Sequence, residues 1–173
     1  IAAAVLGSDF GATRGIDPPY SISNIELRAK RAKLLVPTAS WRGLGLLANT
    51  FATECFIDEL AAAASEDPLA FRLRHLAEPH SARIRRALEH VAEISRWHDL
   101  RARGSNLGVA CCVDYGTVVA QIAEVTVEGT EIRVPRLWAV MDCGQIINPN
   151  GAINQVEGNV IWGVGSALRE SIT

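Results

Sequence analysis

The chain has 173 residues, 49% of them hydrophobic and 21% charged, which is enough apolar material for a packed core within the usual size of one domain. A formal net charge of -2 gives no long-range electrostatic reason to expect nucleic acid, an anionic membrane or a strongly charged substrate. Cys55, Cys111, Cys112 and Cys143 show no C-x-x-C spacing and no histidine stands beside them, which argues against a zinc site or a disulfide framework and leaves thiols expected to be mostly buried.

The chain opens on Ile1, and the apolar run Ile1–Gly7 is too short for a secretory signal or a spanning helix, so a piece of a longer protein with no membrane span is expected. Gly7, Gly11, Gly15 and Pro18-Pro19 favour turns, making residues 1–22 an irregular lead-in to a single α+β domain over 23–173. From Ser23 to Val36, Ile25, Leu27 and Ala29 alternate with polar residues before Pro37, the pattern of a strand with one wet face. Residues 47–63 place Leu47, Phe51, Cys55 and Leu60 at near-helical spacing, which predicts a helix packed on that side. Asp67-Pro68 reads as an N-cap followed by proline at the first helical position, opening a short helix through Leu76. A third helix, about Ser81 to Trp97, carries Ile84, Leu88, Val91 and Ile94 along one stripe and turns its arginines outward.

After Gly104 the apolar period changes from helical to alternating. Val109–Val113, Thr117–Val127 and Glu131–Met141 are rich in β-branched residues and are joined at Tyr115-Gly116 and Glu128-Gly129, which predicts an antiparallel meander. Val118, Ala120 and Ile122 make one face of the middle strand apolar, and Val119, Ala123 and Val125 make the other largely so; that strand is expected to be central and covered on both sides. A Pro-Asn-Gly turn at 149–151 leads into a helical segment, Ala152–Ile172, interrupted by glycines that each cost about 1 kcal/mol relative to alanine unless a sheet or a ligand approaches them. The fold class is therefore α+β, a mostly antiparallel sheet flanked by helices.

Several motifs bear on function. Gly43-Leu44-Gly45-Leu46-Leu47-Ala48 fits the letters of a dinucleotide-binding fingerprint, but that fingerprint needs a strand immediately ahead and an acidic residue ending a second parallel strand, and Glu66-Asp67 instead begin a helix. A dinucleotide-binding domain stays an alternative. Gly158–Ser166 lacks the lysine of a nucleotide P-loop. The arginines from Arg72 to Arg103 are interspersed with Glu89, Glu93 and Asp99 and read as a solvated helix face, not a nucleic-acid surface.

Three segments taken together resemble the large, molybdopterin-binding subunit of the xanthine dehydrogenase and aldehyde oxidase family, its isoquinoline 1-oxidoreductase beta-subunit branch in particular. They are Pro37–Gly45 with the run FATECFIDELAAAASEDPLAFRLRHL at 51–76, Gly116–Val125, and VMDCGQIINPNGAINQVEGNVIWGVGSAL at 140–168. The resemblance implies part of a molybdenum-cofactor-binding lobe. Arg42 and Gly43 would then contact the cofactor, as a glycine-flanked turn at a helix N-terminus presents amides to anionic groups. Gln155 and Gly158, in the family's Gln-x-Glu-Gly element, would contact it too. Leu44 would border the substrate, where purine-oxidising relatives carry an aromatic ring, so a purine substrate is not expected.

The resemblance also implies a parent that hydroxylates an N-heteroaromatic or aldehyde substrate with molybdenum in molybdopterin cytosine dinucleotide, passing electrons to a separate iron–sulfur subunit. The family's glutamate base sits in a Gly-Val-Gly-Glu element; here Gly163-Val164-Gly165 is followed by Ser166. The family's Gly-Gln-Gly segment is absent between the third helix and the meander. No catalytic residue is thus assigned, and the piece on its own is expected to bind no molybdenum and to turn nothing over. A non-enzymatic protein-interaction module is the competing class, and self-association is expected of either, because surface otherwise covered by the remainder of the subunit would lie open.

Overall fold

The computed structural model describes residues 10–30, 32, 35, 39, 41–76 and 81–171. They form six helices and one three-stranded antiparallel sheet: α1 (Phe10–Thr13), α2 (Leu44–Ala63), α3 (Pro68–Arg74), α4 (Ala82–Ser95), α5 (Trp97–Ala102), β1 (Asn106–Asp114), β2 (Thr117–Glu128), β3 (Glu131–Asp142) and α6 (Pro149–Leu168). This is the α+β class read from the sequence. The chain divides into two compact units, one of residues 1–82 with 112–115, the other of 83–111 with 116–173.

In the first unit, α3 begins where the sequence places it. The Asp67 carboxylate accepts hydrogen bonds from the Leu69 and Ala70 amides at 3.0 Å, and Pro68 costs nothing at a position that has no helical hydrogen bond to donate. Helix α2 corrects the expected packing. Its buried residues are Glu54, Ile57 and Ala61, while Leu47, Phe51 and Cys55 are exposed, Phe51 by 71%. A buried charge cluster sets that orientation. Arg72, fully buried on α3, donates from Nε to Glu54 Oε2 at 3.0 Å, from Nη1 to Asp58 at 2.6 Å and to the Pro68 carbonyl, and from Nη2 to the Glu54 carbonyl. Tyr20 donates its hydroxyl to the other Glu54 oxygen at 2.8 Å.

Rotating α2 to bury the apolar stripe instead would strand an arginine and a glutamate without partners, which costs more than leaving a few aliphatic groups wet. Arg72 is accordingly not part of a solvated face. The strand expected over 23–36 is not observed among its described residues. Residues 25–30 are unpaired coil and mostly exposed, and a lone extended segment has no ladder to satisfy its backbone groups. Of the four thiols, only Cys111 is buried, because Cys55 rides on the outward face of α2.

In the second unit, the helix expected over 81–97 breaks at Arg96, whose left-handed backbone (φ 58°) separates α4 from α5. The break turns Trp97 inward, fully buried, and Ser95 takes the inward position expected for Ile94, which is exposed. Ile84, Leu88 and Val91 are buried as expected. The meander holds, in the order β1-β2-β3, with Tyr115 and Gly116 both left-handed in the first turn, as a twisted two-residue hairpin requires. The second turn centres on Gly129-Thr130, one residue later than the sequence suggests. The middle strand is central, but only Val118, Ala120 and Ile122 are buried; Val119, Gln121 and Ala123 on the other face are half-covered.

That second face continues across the antiparallel register to Met141, Ala139 and Leu137 of β3. Helix α6 starts at Pro149, earlier than expected, because the Asn148 side chain caps it by accepting from the Gly151 amide at 3.0 Å. It ends at Leu168 and contains no buried residue. A β-carbon added at Gly158, Gly163 or Gly165 would meet nothing within 4 Å, so neither a sheet nor any other described part of the chain occupies the space beside these glycines.

Candidate functional site

The turn entering α2 carries three of the residues expected from the sequence, Arg42, Gly43 and Leu44, and has an unusual backbone. Gly43 (φ 88°) and Leu44 (φ 52°) are left-handed in succession, and the Leu44 amide donates to the Trp41 carbonyl at 2.9 Å. Glycine adopts this conformation freely, whereas leucine there costs about 1–2 kcal/mol, strain that must be held by its surroundings. Gly43 is the N-cap and, having no side chain, provides no cap to the 20-residue helix. Trp41, 60% exposed, and Arg42, also exposed, flank that end. A cation, an aromatic face and a helix N-terminus on one turn suit an anion attached to a flat ring system.

A second element braces the turn. Helix α1 and its following residues lie against the first turn of α2. A β-carbon at Gly45 would stand 2.8 Å from the Gly11 carbonyl oxygen and closer still to that of Ala12, and one at Gly15 would stand 2.8 Å from the Leu46 side chain. The second glycine of the apparent dinucleotide fingerprint therefore serves a protein backbone contact, which removes the observation on which the dinucleotide alternative rested. Asn49 donates to the carbonyls of Ala12 at 3.1 Å and Arg14 at 2.8 Å. Arg14 in turn is ion-paired with Asp114 and lies 4.9 Å from the Tyr115 ring. What reads in the sequence as an irregular lead-in is thus the brace of the candidate turn.

The thiols of this unit are not poised as nucleophiles. Partial desolvation, then the charges of Asp58, Glu59 and Glu54, raises the pKa of the exposed Cys55; burial, then Glu54 and Asp114, raises that of Cys112. At Arg72, burial favours losing the proton, but Glu54, Tyr20 and Asp58 more than reverse this and hold the guanidinium charged.

The other pair of expected contacts lies in the second unit. Gln155 and Gly158 are exposed on α6, about one turn apart. Asn159 donates to the Gln155 carbonyl at 2.6 Å. The opposite side of the helix, through Ala152, Ile153, Val156 and Val160, forms with Leu137, Ala139 and Met141 a groove of about 460 Å³ that is apolar apart from Glu157. The end of β3 is held by Arg83. Arg83 grips Asp142 with two hydrogen bonds at 2.8 Å, and also bonds the carbonyls of Asp142 and Gly116. The Arg83 hydrogen bond, helped by the Gly144 amide, lowers the Asp142 pKa to about 2. The five site residues expected from the sequence thus fall into two groups, Arg42, Gly43 and Leu44 on one turn and Gln155 and Gly158 on one helix face.

Two family models, both described as a molybdopterin cofactor-binding domain, match residues 8–76 and 52–173. The chain belongs to the molybdopterin cofactor-binding domain family. It is 30% identical over 90% of its length to a nicotinate dehydrogenase component of Pseudomonas putida, covering 14% of that protein. Identity to the beta chain of the isoquinoline 1-oxidoreductase of Brevundimonas diminuta is 32% over 94% of this chain and 22% of the relative. A membrane-bound aldehyde dehydrogenase of Gluconacetobacter polyoxogenes is 27% identical over 92% of this chain and 24% of its own length. No solved structure matches. These matches bear out the resemblance to the molybdopterin-binding subunits of the xanthine dehydrogenase family and to the isoquinoline branch. The chain spans less than a quarter of the length of these curated relatives. No helix among the described residues is long and apolar enough to cross a membrane.

Proposed function

We propose that this chain is part of the large subunit of a molybdenum hydroxylase, in which the turn Arg42-Gly43 and the α6 residues Gln155 and Gly158 contact the molybdopterin cofactor and Leu44 borders the substrate. The observation that carries the reading is that the two family models overlap on α2 and α3, and that α2 opens on the uncapped, arginine-flanked turn described above. These residues fit the group chemically. The amide-rich N-terminus and Arg42 suit its phosphate, Trp41 offers an aromatic face, and Gln155 offers both donor and acceptor to a pterin edge, while the open space at Gly158 lets a bulky ring approach the backbone.

When bound, molybdenum in the cytosine dinucleotide form of the cofactor supplies the redox chemistry of hydroxylation. This chain's part is to bind and orient. Arg42 neutralises anionic charge, the Gly43-Leu44 turn holds the amides in place, and Leu44 gives the substrate an aliphatic wall without stacking. Nicotinate and isoquinoline, named in two relatives, are N-heteroaromatics, and an aldehyde is named in a third, which supports these substrate classes for the parent. An iron–sulfur subunit and the remainder of the large subunit complete the proposed assembly.

The isolated chain lacks a glutamate after Gly163-Val164-Gly165 and is inactive in this reading. Metal analysis of the purified chain, with dye-coupled oxidation of nicotinate, isoquinoline and an aldehyde, is expected to show neither stoichiometric molybdenum nor turnover. Either one would reject the assignment of an inactive part.

A further inference from the structure

Leu44 keeps a left-handed backbone (φ 52°), which a residue with a side chain adopts only where its surroundings hold it there. Those surroundings can be followed outward. The carbonyls of Gly11 and Ala12 press on Gly45, where no β-carbon fits, and Gly15 lies against Leu46. Asn49, one turn further along α2, donates to the Ala12 carbonyl at 3.1 Å and to the Arg14 carbonyl at 2.8 Å, which clamps the end of α1 in that place. Arg14 is itself gripped from a third segment. Its Nε donates to Asp114 Oδ1 at 3.3 Å, its Nη2 bonds Asp114 Oδ2, and its Cζ stands 4.9 Å from the Tyr115 ring centroid. All of these residues fall within the first compact unit.

We propose that Asp114, Arg14 and Asn49 are positioning residues for the turn Arg42–Leu44, forming a strut from the end of β1 through α1 to the first turn of α2 that holds Gly43 and Leu44 left-handed. The inference rests on the reading of that turn as a cofactor contact. Residue 14 is the joint of the strut, because its carbonyl accepts from Asn49 while its guanidinium holds Asp114. The ion pair is well placed for this work: both side chains are partly buried, so solvent and salt screen it less than a surface pair. None of the three residues needs to touch what the turn binds. Each acts through the next, and a turn that holds its binding geometry only part of the time binds correspondingly more weakly. A change at Asp114, remote in sequence, therefore reaches the amides of residues 43 and 44.

The test compares the isotopically labelled chain with Asp114→Asn, which keeps the side-chain shape and removes its charge, with Asp114→Glu, which keeps the charge, and with Asn49→Ala. Two readouts are taken: the one-bond Cα–Hα coupling of Leu44, which reports the sign of φ, and pyrophosphate affinity followed at the amides of residues 41–46. Asp114→Asn and Asn49→Ala are expected to move the coupling toward its right-handed value. They should weaken pyrophosphate by about five- to thirtyfold, the factor that the strain of a left-handed residue represents. Asp114→Glu should recover most of that affinity. Variants that unfold more easily but keep the coupling and the affinity of the unaltered chain overturn the strut and leave the turn's reading intact. An unaltered chain with no shifts at residues 41–46 overturns both. If Asn49→Ala fails to fold, the two Asp114 variants decide.

Discussion

Helices α2 and α6 are each 20 residues long and each reads as apolar, yet they are held in opposite ways. In α2 the face turned inward carries a glutamate locked to a buried arginine, and the aliphatic and aromatic stripe is left outside. In α6 no residue is buried, and contact with β3 leaves a groove instead of a sealed interface. Apolar content therefore did not decide which face is packed. A buried charge network of Arg72, Glu54, Asp58 and Tyr20 did so in α2, and in α6, whose only charged residue is the exposed Glu157, nothing selects a face as strongly. The glycines show the same contrast: Gly45 is pressed against the backbone of residues 11 and 12, while Gly158, Gly163 and Gly165 face open space.

The largest expected effect tests the buried charge. Arg72→Met leaves Glu54 buried without its cation and should destabilise the fold by about 3–5 kcal/mol, read as a lower midpoint in urea unfolding. Pairing it with Glu54→Leu should recover part of that loss, since the buried carboxylate is removed while the half-exposed Asp58 still loses its cation and Tyr20 its acceptor. A loss below about 1 kcal/mol from Arg72→Met alone would place α2 under ordinary apolar packing and erase the contrast.

The next effect sharpens it at the glycines. Gly45→Ala forces the α1 backbone away from α2 and should cost about 1–3 kcal/mol. Gly163→Ala and Gly165→Ala meet nothing and should each add stability, up to about 1 kcal/mol, from helix propensity. Equal effects in the two helices by thermal unfolding would contradict the packing described.

The smallest effect concerns the end of β3. Asp142 is held below its ordinary value of 3.8, at about 2, so its stabilising contribution is full above about pH 4 and is lost as pH falls from about 4 to 2. Because the carboxylate is exposed, solvent screens the pair and a shallow acid limb is expected. It should vanish in Arg83→Gln when unfolding is followed against pH.

Much of this was legible in the sequence. The meander and the Asp67-Pro68 helix start follow from local chemistry, where a turn residue or a capping side chain acts within a few positions. What was not legible depended on distant partners. Glu54 is one of three acids in α2 with Asp58 and Glu59, and Arg72 sits among arginines that are mostly solvated; only their meeting, 18 residues apart, identifies them. The segment 23–36 has a strand's alternation but no neighbour to pair with among the described residues. Residues 10–15 showed only glycines, and their bracing role appears once Asn49 and Gly45 lie beside them. Arg42, Gly43 and Leu44 were singled out through family resemblance, which did not foretell the left-handed backbone of Gly43 and Leu44.

The candidate turn is tested most directly by titrating the isotopically labelled chain with pyrophosphate, an anion of the class the cofactor carries, and following backbone amide resonances. Shifts should concentrate at residues 41–46 and be lost in Arg42→Ala, whose spectrum elsewhere stays unchanged. Shifts absent from those amides, or spread instead over the arginines of α4, would contradict an anion site at the entrance to α2.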